Sequence, residues 1–115
     1  KLMANTFLNA KSDLTTADLT TIYTVPTATT AIVKSILVSE DAGSGTTIDV
    51  TLVDASGNIF SLFKAKAVGS NTTVELLTQP LILEESEILK VQAGDANELH
   101  VVASILQVKP RQVVT

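Results

Sequence analysis

The 115-residue chain has no cysteine, no tryptophan, one tyrosine and one histidine. Without cysteine there is no thiol nucleophile, no CxxC redox pair, no thiolate metal site and no disulfide. With His100 as the sole histidine, a Cys/His dyad and a histidine-rich metal site are excluded, and a Ser/His/Asp triad would have to run through that residue. His100 sits in ELHVVAS between Leu99 and Val101, where a histidine on a strand face reads as structural. A basic face is missing too. Eight basic residues against twelve acidic ones leave a net charge of −4, with the charges dispersed. Nucleic-acid binding draws on counterion release at a basic face, so nucleic acid is not an expected partner. No apolar run approaches the length of a bilayer crossing and the amino terminus lacks a hydrophobic signal core, so no membrane partner is expected either. The glycines at 43, 45, 57, 69 and 94 are spaced as turn residues and form no nucleotide-binding fingerprint.

Carboxylates offer little more. Glu84, Glu85 and Glu87 crowd into one turn region, where a solvated loop is the expected reading rather than the opposed pair of a glycosidase. Glu40-Asp41 and Asp95 to Asn97 are loops with oxygen ligands, but neither has a recognisable calcium-binding spacing. No enzyme activity, cofactor or metal is therefore expected, and the scarcity of aromatic rings disfavours a glycan ligand.

What the chain does have is valine, isoleucine, leucine and threonine, with Phe7, Tyr23, Phe60 and Phe63 as its aromatic residues. β-Branched side chains are stiff at χ1 and fit a pleated, half-buried surface. The segment Thr46 to Asp54 alternates cleanly, with Ile48, Val50 and Leu52 on one face and Thr47, Asp49 and Thr51 on the other. Further strands are expected over Ile22–Val25, Thr30–Ser39, Ile59–Lys66, Thr72–Thr78, Leu81–Leu83, Ile88–Ala93 and Glu98–Val108. Pro26 and Pro80 break the run, and Asp54-Ala55-Ser56-Gly57-Asn58 is expected to be a hairpin turn with Asp54 accepting turn amides and Gly57 at positive φ. The spacing of turn signals argues against βαβ units. It predicts an all-β, antiparallel β-sandwich or jelly-roll-like fold of seven to eight short strands with an extended N-terminal arm.

Residues 1–21 are expected to form that arm, or a short edge strand, with residues 1–2 a cloning remnant ahead of Met3-Ala4. The sandwich is expected over 22–108 and a C-terminal tail over 109–115. Two strands, 30–39 and 98–108, are apolar on both faces, so one face of each needs a cover. The arm can supply that cover, or a central strand can leave its outer face modestly exposed, or a neighbouring subunit can cover it. The candidate interface residues are Ile32, Ile36, Val38, Val102, Leu106 and Val108, with Leu8, Leu14 and Leu19 from the arm. An extended arm can add a strand to a neighbour's sheet, so deletion of residues 4–19 is expected to weaken assembly more than folding.

The stretch TTIYTVPTATTAIVKSILVSEDAGSGTTIDVTLVDASG and the later LILEESEILKVQAGDANELHVVASILQV together resemble small virion structural proteins of tailed bacteriophages, notably those infecting marine bacteria and cyanobacteria. The likeness runs from about Thr20 to Val108. Leu83 to Glu87 departs from it where relatives place a Gly-Asp turn, and the segment from Lys109 to Thr115 extends past their usual end. The resemblance implies a non-enzymatic particle component on the external surface of the virion: a capsid decoration (cement) protein, or a tail, neck or fibre-associated subunit. Its implied partners are the major capsid protein or other virion proteins and further copies of itself, with a trimer as the expected order. A carbohydrate- or cell-surface-binding module on the same fold is the alternative.

Overall fold

The computed structural model describes residues 3–110, which form nine strands and no helix. The strands are β1 (Met3–Leu14), β2 (Thr20–Thr24), β3 (Thr30–Glu40), β4 (Thr46–Val53), β5 (Ile59–Val68), β6 (Thr73–Glu75), β7 (Leu81–Leu83), β8 (Ile88–Ala93) and β9 (Leu99–Pro110). They make two antiparallel sheets. The first runs β1-β9-β3-β6, with β7 also on β3; the second runs β2-β8-β4-β5. The first strand thus pairs with the last and the second with the last but one, and the chain crosses between sheets at every connection except β4–β5 and β6–β7. That is the winding of a jelly roll.

Between the sheets lies an aliphatic core. Ala31, Val33, Ile36 and Val38 of β3 and Leu99, Val101, Ala103 and Ile105 of β9 face Ile48, Val50, Leu89 and Val91 of the other sheet, all essentially inaccessible to water. Tyr23 crosses the gap, its hydroxyl accepting a 2.6 Å hydrogen bond from Gln107 Nε2. The amino-terminal segment is bonded into the fold: β1 pairs with β9 over twelve residues, and its Leu14 is buried in the core. The carboxylate-rich segment between β7 and β8 is a tight turn, with Glu87 N–H donating to Glu84 O at 3.0 Å and Ser86 at φ 69°.

Three carboxylates fix the connections. Asp54 behaves as the sequence predicts: its Oδ1 accepts the amides of Ser56 and Asn58 at 2.9 Å each, and Gly57 adopts φ 87°. The Asn58 amide and then the Asn58 side chain hold the Asp54 carboxyl below its ordinary range. Glu40, at 2% exposure, accepts amides from Gly43, Ser44 and Gly45 of the β3–β4 loop and from Asn71 between β5 and β6, at 2.9 to 3.2 Å. The Asn71 amide is the largest influence, and the four amides together outweigh burial and lower the carboxyl to about 2. Glu75 sits at the β-bulge between Val33 and Ser35. It accepts the Ser35 hydroxyl and the amides of Ile36 and Leu77. Burial pushes the Glu75 carboxyl up, but those donors outweigh it and leave it below its ordinary range.

Candidate assembly surface

The alternation of side chains along paired strands decides what the first sheet shows to water. In β9 the register is unbroken, so Leu99, Val101, Ala103 and Ile105 point inward while His100, Val102, Ser104, Leu106 and Val108 point outward. In β3 the bulge inserts one residue and reverses the phase. Ala31 and Val33 point inward before it, and Ile36 and Val38 after it; Ile32 and Leu37 are left outside.

This corrects the expected interface. Ile36, Val38 and Leu14 are core residues at 0%, 0% and 1% exposure and cannot meet a partner. Strict alternation from Ile32 would carry Ile36 and Val38 outward, and the bulge prevents it. The signal was present in the sequence as Lys34-Ser35, two consecutive polar residues inside an apolar strand. Leu8 lies opposite Ile105 and packs inward against the core. Leu19, half exposed, lines a groove on the opposite sheet. Ile32, Val102, Leu106 and Val108 do share the outer face, each partly covered by neighbours.

They have company that the sequence pattern did not single out. Phe7 lies opposite Leu106, Leu106 opposite Ile32, and Ile32 opposite Ile82. These four side chains form a row straight across four strands, roughly 15 Å long at the usual interstrand spacing. Its two ends are its most open members, Phe7 at 75% and Ile82 at 52% exposure. Val108 flanks the row, and a shorter pair, Val102 and Leu37, lies beyond a polar strip of Asn9, Ser104 and Ser35.

Elsewhere the surface offers less. His100 lies on the same outer face, with Nε2 3.3 Å from Asp13 Oδ1 and Nδ1 3.5 Å from Asp41 Oδ2. Both ring nitrogens are turned to carboxylates, so neither is placed against a hydroxyl nucleophile. Among the described residues no cluster of three or more histidine, aspartate or glutamate side chains is arranged to hold a metal ion. The Glu40 carboxylate, one of the loop oxygens considered for calcium, is turned onto backbone amides. A groove of about 400 Å³ crosses the outer face of the second sheet, lined by Asp49, Thr51, Lys64, Lys90 and Gln92 with Val53 and Ile59 at one end. No aromatic side chain lines it.

No protein-family model matches the chain, and none of the curated protein sequences does. Solved structures share its fold. A subunit of Bacillus endospore appendages, a family of disulfide-linked pili, superposes with a TM-score of 0.54 at 10% identity, over 96% of this chain and 88% of that one. A chain of infectious bursal disease virus, Gx strain, gives 0.51 at 12% identity, over 90% of this chain but 32% of that one. A pentameric capsid protein from metagenomic phage sequences overlaps more loosely, at 0.47 and 18% identity, over 86% of this chain and 58% of that one. The two superpositions above 0.5, with the appendage subunit and with the bursal disease virus chain, show a fold in common and nothing more.

Proposed function

We propose that this chain is a non-enzymatic structural subunit of a virus particle, a capsid decoration protein held on the external surface by contacts with the major capsid protein and with its own copies. The observation that carries the reading is the apolar row Phe7–Leu106–Ile32–Ile82 on the outer face of the first sheet. An antiparallel sheet commonly turns a polar face to water, and a continuous exposed apolar stripe marks a contact surface. The fold agrees with this role, since a two-sheet jelly roll of this size has core enough to fold without a disulfide and presents large flat faces to neighbours. The virus-particle neighbour supports the fold of such a subunit, and the resemblance in sequence supplies the phage setting.

Cryo-electron microscopy of purified particles tests the proposal. The expected result is density for this fold at many symmetry-related positions on the shell, with the Phe7 face against a neighbour. A few copies at the vertex or along the tail would move it to the tail, neck or fibre. Absence from the particle would refute the virion reading.

The pilus-subunit neighbour favours a second reading, a subunit of a surface fibre. A cysteine-free chain cannot be disulfide-linked, so such a fibre would hold together without disulfide bonds. The glycan-binding alternative finds less support, because the groove on the second sheet lacks aromatic platforms. Clear hits on a glycan array would restore it.

A further inference from the structure

A two-sheet sandwich has four edges, and each presents unpaired amides and carbonyls to any extended segment that comes alongside. Three of the four edges here are blunted. β2 has five residues, with a register break between Thr21 and Tyr23. The ladder of β5 with β4 shifts twice, Ala65 adopts φ 51°, and the strand carries Lys64 and Lys66. On the edge opposite β1, β6 and β7 have three residues each and are separated by a segment containing Pro80. β1 has the least of this blunting. It pairs with β9 through twelve consecutive residues without a register shift, contains no proline, and carries one lysine and one aspartate, Lys11 and Asp13. The apolar row ends on this strand, at Phe7, its most exposed member.

Among the described residues no strand pairs with the outer edge of β1, and we infer that this edge is a seam between two copies of this chain, β1 lying antiparallel to the β1 of a second copy about a two-fold axis. The inference rests on the assembly reading above and names its contact. Side chains alternate with period two, so an axis normal to the sheet joins outer face to outer face and necessarily passes through a residue position. With the axis at Phe7, the row Ile82–Ile32–Leu106–Phe7 continues into Phe7 of the partner subunit and on across the second molecule. A second copy fits this edge better than a partner of opposite charge, because β1 is neutral overall. Antiparallel self-pairing sets like charges opposite only if centred on Lys11 or Asp13, and every other register avoids that penalty.

The cysteine-free sequence makes the test clean. Single cysteines are placed in turn at Thr6 through Asp13, with Lys66→Cys on β5 and Thr73→Cys on β6 as controls, and each variant is exposed to a mild oxidant. A disulfide needs Cα atoms roughly 4.4–6.8 Å apart, and a two-fold seam brings only the residue on the axis that close to its own mate. One position on β1 is therefore expected to give a covalent dimer, neighbours on either side less, and the controls none; circular dichroism verifies that each variant is folded. No maximum along β1, a maximum at a control position, or a trimer in sedimentation would overturn the seam. A chain that self-associates without β1 cross-links loses the seam and keeps the assembly reading, whereas a chain with the cross-link that is absent from particles does the reverse.

Discussion

At Glu40 a carboxylate almost closed to water accepts four backbone amides from two separate connections, and it thereby ties the end of β3 to the loops on either side. Its carboxyl falls from an ordinary 4.5 to about 2. A group with a lowered folded value contributes its stability fully above the unfolded value and loses it as pH falls through the folded one. The contribution is therefore complete above about pH 5 and fades between 4.5 and about 2. Glu40→Gln should lower the urea midpoint at pH 7, with the gap from the parent closing as the pH is taken to 3 and below. A gap that does not change with pH would mean that the amides do not hold the charged form. The neighbouring lesson concerns Ile32 and Ile36. Ile36→Ala removes core volume and should cost about 2–5 kcal/mol, whereas Ile32→Ala on the outer face should cost under about 1 kcal/mol. Equal costs would refute the phase reversal at the bulge. Short-range chemistry was legible in the sequence: Asp54 and Asn58 meet within one turn, so residue type and spacing suffice. Glu40 was not, because its Asn71 partner comes from another connection 31 residues on.

Elements were read more securely than their faces. The alternation in β4 and the punctuation by Pro26, Asp54–Asn58 and Pro80 place strands close to where the structure has them. What alternation cannot convey is phase after an inserted residue, which is why strict alternation puts Ile36 and Val38 on the outer face although both are buried. β1 shows a different blindness. Its segment is polar and threonine-containing because one of its flanks is a sheet edge, and among the described side chains of its inward face only Leu8, Ala10 and Leu14 are apolar. Such a strand has no apolar period of its own and is defined by β9, some ninety residues later in the chain. Its integration also reverses an expectation. Deleting residues 4–19 removes Leu14 from the core and strips β9 of a twelve-residue partner. The truncated chain should lose its cooperative thermal transition, measured by circular dichroism, before any assembly defect can be assessed. A truncation that melts like the parent would show that β1 is an arm after all.

The whole molecule brings its two ends together: β1 and β9 close the first sheet, β2 and β8 the second, and almost every ladder joins distant segments. Folding must therefore wait for the last strand, and the unpaired edges of a partly wound chain are exposed meanwhile. Blunting three edges in the sequence of each strand limits that hazard, and the fourth, the least blunted, stands out against it. Assembly through β1 and the Phe7 row would be apolar and main-chain in character, while the net charge of −4 on every copy opposes it. Salt screens that repulsion and strengthens apolar contact, so raising sodium chloride from 0.15 to 1 M should leave the association intact or tighten it. Phe7→Ala should weaken association roughly tenfold to a hundredfold, the equivalent of about 1.5–3 kcal/mol for an aromatic ring leaving a buried contact. At a concentration where both chains are monomeric it should leave the melting temperature nearly unchanged, because the ring is 75% exposed in the single chain. Sedimentation at both salt concentrations measures the first two effects. Dissociation at high salt would place ion pairs, rather than the apolar row, at the contact.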